Sequence, residues 1–206
     1  MKKRPTFDVI IVGGGLAGLT SAIHLSKQNK EVLLVEKNEY PKHKVCGEYI
    51  SNEVLPYLNS LGIYPLSEGA KQITKVHIST IKSNLIKGEL PLGGFGMSRY
   101  FLDDLLVKKA RSNGVKILKD TVDSIHFKKD SFTILTKSSG VFQSKITIGA
   151  FGKRSSLDQK MKRKFIQKKS PYLAVKTHVK GVFPENLVGL HNFKGGYCGV
   201  SKVENN

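Results

Sequence analysis

An α/β fold built on a parallel sheet is what this sequence predicts, and three observations predict it. The first 36 residues read strand, helix, strand; a second amphipathic helix leads into another apolar strand; and three alternating runs then follow one another across short turns. Strands alternating with helices favour parallel pairing, because a parallel connection needs a crossover long enough to hold a helix. The three successive runs predict an antiparallel meander appended to that sheet.

Each element has its own signature. "FDVIIV", Phe7 to Val12, is a continuous apolar run rich in β-branched residues, as a strand buried on both faces should be. In "LAGLTSAIHLSKQN", Leu16, Leu19, Ala22, Ile23 and Leu25 recur at helical spacing, and "EVLLVEK" supplies the second buried strand. Lys42 to Ser67 is looser and predicts a loop with a short helix around "NEVLPYLNSLGI". "ITKVHISTI" predicts a strand, and "KSNLIKGELPLGGFG" holds the turn that brings the chain back. In "SRYFLDDLLVKKARSNG" the buried stripe is Leu102, Leu105, Leu106 and Ala110, with Asn113-Gly114 as the stop. "VKIL" re-enters the sheet. "TVDSIHFKK", "SFTILTKSS" and "VFQSKITIGA" form the meander, with turns at Lys129-Asp130 and Ser139-Gly140. "YLAVKTHVKGVF" and "LVGLHNF" predict further strands, the start of a second, mixed β-sheet domain.

Composition narrows the classes. The 39% apolar and 24% charged shares are those of a globular chain, and no apolar run reaches the about 18 residues of a membrane span. The basic start runs into a strand and not into a signal peptide. Cys46 and Cys198 are the only cysteines, so neither a disulfide framework nor a zinc site is implied and a cytoplasmic setting is expected. His24, His43, His77, His126, His178 and His191 show no metal-ligand spacing, and no metal is assigned. The net charge of +18 points to anionic partners. Gly152 to Lys169 concentrates it, with eight Lys or Arg against one Asp. No RNA-binding aromatic signature accompanies it, so nucleic acid is not expected. The segment reads first as a solvated surface; peripheral contact with an anionic inner membrane face, or with a diphosphate-bearing substrate, is the alternative.

Gly13, Gly15 and Gly18 form G-x-G-x-x-G between a buried strand and a helix. The first glycine permits a tight turn, the second admits a pyrophosphate, and the third lets helix and strand approach. Glu36 closes the next strand, 18 positions after Gly18, where an acid hydrogen-bonds ribose hydroxyls. That combination predicts a Rossmann-like dinucleotide site, and the acid disfavours a 2′-phosphate there.

The chain resembles the geranylgeranyl reductase-like branch of FAD-dependent oxidoreductases, relatives of the para-hydroxybenzoate hydroxylase group. "DVIIVGGGLAGLTSAIHLSKQNKEVLLVEK" is similar to the general flavoprotein pattern, "KHKVCGEYIS" to a Cys-Gly segment lying along the flavin, and "MSRYFLDDLLVKKARSNGVKI" to a segment whose arginine contacts FAD. The resemblance implies FAD contacts at Gly13, Gly15, Ala17, Gly18, Glu36, Lys37, Cys46, Gly47, Arg99 and Val122. Without it, "MSRYF" reads as a helix start with Ser98 as N-cap. "GGYCGVSK" resembles the family's substrate-domain motif and implies substrate contacts at Gly196 and Tyr197. On this basis residues 1–75 and 96–160 are the FAD-binding domain, and 76–95 with 165–206 a partial substrate domain. Two departures stand out. The branch carries "GADG" where this chain has "GAFG", placing Phe151 at the acidic position; and the second flavin-binding segment lies beyond residue 206, so the chain reads as the N-terminal part of a longer enzyme.

The chemistry the resemblance implies is flavin-mediated hydride reduction of a C=C bond in a hydrophobic, isoprenoid-like substrate, with NAD(P)H as an external electron donor. Cys46 is the candidate catalytic residue, as a proton donor or a tuner of the flavin; as a plain residue it fills a tight turn. A flavin monooxygenase or halogenase is the first alternative, although the chain has no Trp and tryptophan-type halogenases carry paired ones. A non-catalytic nucleotide-binding fragment is the second.

Overall fold

The computed structural model describes residues 5–204 apart from Arg154 and Lys169; the basic start Met1–Arg4 and those two members of the basic segment lie outside the described residues. In chain order the elements are β1 (Thr6–Val12), α1 (Leu16–Lys27), β2 (Val32–Glu36), β3 (Tyr49–Ser51), α2 (Leu55–Ser60), β4 (Lys71–Ser79), β5 (Leu85–Gly96) and α3 (Arg99–Ser112). They continue with β6 (Lys116–Lys119), β7 (Val122–Lys128), β8 (Ser131–Thr136), β9 (Val141–Gly149), α4 (Ser156–Lys160), β10 (Leu187–Phe193) and β11 (Gly196–Ser201). Two compact units result: Met1–Lys42 with Asp103–Tyr172, and His43–Leu102 with Leu173–Asn206.

The first unit holds a six-stranded sheet in the order β6-β2-β1-β9-β8-β7. β1 pairs in parallel with both β2 and β9, which explains its apolar run: Ile10 and Ile11 have no exposed surface. Gly18, Leu19, Ala22 and Ile23 form the buried face of α1. β7, β8 and β9 make the expected meander, and Lys129 and Asp130 both take positive φ, as a two-residue hairpin turn of the I′ kind requires. Phe7, Ile10, Leu33, Val122, Ile134 and Leu157 share one core cluster. The fold is therefore α/β, with a Rossmann-like parallel half and a meander.

Asp120, between β6 and β7, pins that meander. Its buried carboxylate accepts from the backbone N–H groups of Thr121 (2.6 Å), Ser138 (3.1 Å) and Ser139 (2.7 Å). Burial pushes this carboxyl up, but the hydrogen bonds from Ser139, Thr121 and Ser138 together outweigh it and hold the group well below its ordinary 3.8. Asp120→Ala is expected to lower the unfolding free energy by about 1–3 kcal/mol in denaturant titrations. Because the folded value is depressed, the contribution is complete above the unfolded value near 3.8 and fades as pH falls below it. The difference between wild type and variant should shrink in acid.

The second unit is a mixed sheet, order β11-β10-β4-β5-β3, in which only the β10–β4 pair is parallel. Gly94 and Gly96 of β5 serve close approach: a Cβ on Gly96 would stand 1.9 Å from the Lys202 carbonyl oxygen.

Two expectations are corrected. Tyr172–Phe183 forms no strand; Leu173, Val175 and Val179 are 89%, 83% and 79% exposed. Its alternating pattern fits a pleated surface, but a strand exists only where a neighbour takes its backbone hydrogen bonds. In α3 the buried face comprises Leu102, Asp103, Leu106, Val107 and Ala110, while Leu105 is half-buried. The buried face is rotated from the expected stripe because positions 103 and 107 lie beside 102, 106 and 110 on a 3.6-residue helix.

Candidate functional site

The glycine loop of the first unit follows directly from its neighbours. Gly13 has φ 105°, and a Cβ there would stand 2.4 Å from the Ala150 carbonyl oxygen. The N–H of Gly13 donates to the Val35 carbonyl oxygen and that of Ala150 to the Val12 oxygen, both at 2.8 Å, so the loop is clamped to β2 and to the end of β9. A Cβ on Gly18 would lie 1.9 Å from the Gly13 carbonyl oxygen. Gly15 is different: it caps α1 in extended conformation, and nothing stands within 4 Å of the position its Cβ would take. Ala17, in the first turn of α1, is exposed. A helix N-terminus with unfilled space before it and free N–H groups is a seat for a phosphate.

Glu36 ends β2 beside this loop. Its Oε2 accepts the N–H of Gly14 at 2.7 Å, and its Oε1 accepts the backbone and side-chain amides of Asn38 at 2.9 and 2.6 Å. The Tyr40 hydroxyl donates to the Gly14 carbonyl oxygen at 2.5 Å. The carboxylate is thus fixed by the loop it serves. A cavity of about 180 Å³ opens alongside, lined by Glu36, Asn38, Glu39, Tyr40, Arg111, Ile117 and Lys119. Lys37 is exposed, and the Val122 side chain is buried in the core cluster. Phe151 packs its ring against that cluster and over Gly149, so the aromatic at the acidic position fills core space while its backbone still abuts Gly13.

In the second unit, Cys46 is a half-buried free thiol and Gly47 is exposed with no atom within 4 Å of a Cβ position. The residue after them, Glu48, is the organising group and was not singled out from the sequence. It is 3% exposed and holds φ 57°, an uncommon backbone conformation for a side chain of this kind. Its Oε1 accepts from Lys176 Nζ and from the backbone N–H of Arg99, and its Oε2 from His178 Nε2, each at 2.7 Å. Its own carbonyl accepts the N–H of Met97 at 3.0 Å. His43 stacks on Tyr100 at 4.7 Å between ring centres and meets His178 edge-on at 5.2 Å.

Ser98 caps α3: its Oγ accepts the N–H of Phe101 at 3.1 Å, and the Glu204 carboxylate accepts both the N–H and the hydroxyl of Ser98. Arg99 follows immediately, so its backbone is held between Glu48 and the Ser98 cap. The signal that could have found Glu48 is an acid next to a glycine, followed far downstream by cations at alternate positions, Lys176 and His178.

Gly196 and Tyr197 lie on the edge strand β11, opposite Phe193 and Asn192. Gly196 lines an open cavity of about 500 Å³ with Thr80, Ile81, Lys82, Asn84, Asn192 and Phe193, while Tyr197 is 67% exposed. Among the described residues no group of three or more His, Cys, Asp or Glu is placed to hold a metal, and no helix is long and apolar enough to cross a membrane.

A strand, a glycine turn clamped to the sheet, a helix N-terminus facing open space and an acid on the next strand define a dinucleotide-binding fold, and residues 8–47 match the family described as FAD dependent oxidoreductase. Over nearly the whole chain, 98% of it and 51% of the other, the structure is similar to that of a myxobacterial chondrochloren halogenase, with a TM-score of 0.74 at 15% identity, a likeness of fold. In sequence the chain is 27% identical to a 1H-pyrrole-2-carbonyl (peptidyl-carrier protein) brominase of Pseudoalteromonas luteoviolacea, over 88% of this chain and 47% of that protein. It is 26% identical to the digeranylgeranylglycerophospholipid reductase of Methanococcus vannielii, over 75% of this chain and 40% of that protein. The chain spans less than half the length of these two curated relatives.

Proposed function

We propose that this chain carries the dinucleotide end of an FAD site and that the protein is an FAD-dependent oxidoreductase acting on a hydrophobic substrate. One observation carries the reading: the open space at Gly15, at the start of α1, beside a carboxylate on the next strand. Gly13, Gly15 and Gly18 would hold the pyrophosphate. Glu36 has three donors on its carboxylate and retains acceptor capacity for a ribose hydroxyl. Bound FAD would supply the two-electron redox chemistry. For Lys37, Val122, Cys46, Gly47 and Arg99 the support is the family resemblance, as it is for Gly196 and Tyr197 toward substrate.

The reaction we favour is reduction of a C=C bond in an isoprenoid-like substrate, with NAD(P)H as donor; the reductase likeness supports it. A monooxygenase or halogenase is the second reading, favoured by the brominase likeness, which extends over more of the chain. Titrating the purified chain into FAD should quench flavin fluorescence to a one-to-one end point, and Glu36→Ala should weaken the affinity by about tenfold. A signal no larger than that of an unrelated basic protein would sink the proposal. With flavin retained, reduction of an alkene substrate without oxygen supports the reductase, and oxygen-dependent consumption of NAD(P)H supports the second reading.

A further inference from the structure

We infer that the basic segment of the first unit, Met161 to Lys168, is a docking surface for anionic phospholipid. The segment follows α4, which is anchored to the first unit. Leu157 of α4 is 4% exposed within the core cluster, and Ser155 caps α4 by accepting the N–H of Leu157 at 3.1 Å. Lys160 reaches Asp123 on β7, at 2.7 Å from its carboxylate and 2.8 Å from its carbonyl oxygen. Asp158, the one acid in Gly152 to Lys169, is buried and paired with Arg163 at 3.2 Å. Both local acids are therefore paired, Asp123 tying α4 to β7 and Asp158 closing the turn that follows α4.

Beyond that anchor the chain turns outward. Lys162 takes φ 53°, and Lys164–Gln167 forms a single 3-10 turn. Lys153, Lys162, Lys164 and Lys168 are exposed, with no acidic partner among the described residues. Between them stand two large apolar side chains, Met161 at 41% and Phe165 at 58% exposure. A merely solvated basic face gains nothing from an exposed phenylalanine. A surface that lies in a headgroup layer gains from both, since lysines reach the phosphates while the aromatic ring enters the boundary below them. Clustered lysines beside an anionic leaflet are each attracted by its surface potential. A nucleic acid would use the lysines and leave Met161 without a role.

The test uses the full chain and sedimentation with vesicles of equal parts phosphatidylglycerol and phosphatidylcholine, against vesicles of phosphatidylcholine alone. Binding is expected to the anionic vesicles only, and to fall steeply between about 0.1 M and about 1 M salt as screening shortens. Replacing Lys162, Lys164 and Lys168 by Gln should weaken it by about a hundredfold, from about fivefold per lysine. Phe165→Ser should weaken it by about tenfold with the charge unchanged. As these side chains are exposed, circular dichroism and thermal melting should not move. A control with Lys82, Lys87 and Lys180 changed to Gln removes the same net charge elsewhere and should retain binding. Equal loss in the control, binding to neutral vesicles, an unaffected Phe165→Ser, or equally tight binding to single-stranded RNA at the same salt would each overturn the inference, the last assigning the patch to nucleic acid.

Discussion

Gly18→Ala is expected to lower the free energy of unfolding by about 3 kcal/mol or more, while Gly15→Ala leaves it within about 0.5 kcal/mol of wild type and abolishes FAD retention. The two glycines stand three positions apart in one motif, yet the space around them is opposite. A methyl group on Gly18 would sit 1.9 Å from the Gly13 carbonyl oxygen, a backbone atom clamped through Gly13 N–H to Val35. Backbone cannot give way as a side chain can, so α1 must shift from β1 and expose the surface of Leu19, Ala22 and Ile23. A methyl group on Gly15 meets nothing within 4 Å, and its φ of −82° suits any residue. What it would meet is a pyrophosphate drawn close to the helix N-terminus. Melting curves and FAD titrations on the two variants separate structure from binding within one loop. Equal stability losses at both positions would show that the motif is only a turn.

The sequence made the first unit readable because its signals are local. An apolar run in β1, three glycines and Glu36 lie within 36 residues, and each has a period or conformation that few alternatives share. The meander was legible for the same reason, from alternation and from turn residues at Lys129-Asp130. Less legible was anything decided by distant partners. Residues 172–183 have a strand pattern and no strand, since pattern states which face is apolar and not whether a neighbouring ladder exists. Phe151 reads as the loss of a carboxylate, whereas in the fold its ring supplements the core. Glu48 is the clearest case: its partners lie 51, 128 and 130 positions away, and no local period reveals them.

Glu48→Ala is expected to lower the stability of the second unit by about 2–4 kcal/mol in denaturant titrations. The carboxylate serves the Arg99 amide, Lys176 and His178 at once, and its removal strands a Lys176 ammonium that is only 15% exposed. Burial pushes the Glu48 carboxyl up, but the hydrogen bonds from His178, Lys176 and the Arg99 amide more than offset it and leave the group below its ordinary 4.5. An ionised carboxylate only accepts, so Nε2 of His178 must carry the proton in their hydrogen bond. The stabilisation is complete above the unfolded value near 4.5 and is lost as pH falls below it, so the gap between wild type and variant should narrow in acid. Glu48→Gly isolates the backbone contribution: it relieves φ 57° while losing the same hydrogen bonds, and should be about 1 kcal/mol less damaging than Ala. Residues 173–183 have no strand ladder, and Lys176 and His178 hold them to this buried carboxylate. Trypsin should consequently cut after Lys176 and Lys180 faster in both variants than in wild type. Unchanged cleavage with lowered stability would mean that Glu48 supports the start of α3 alone and does not tether this segment.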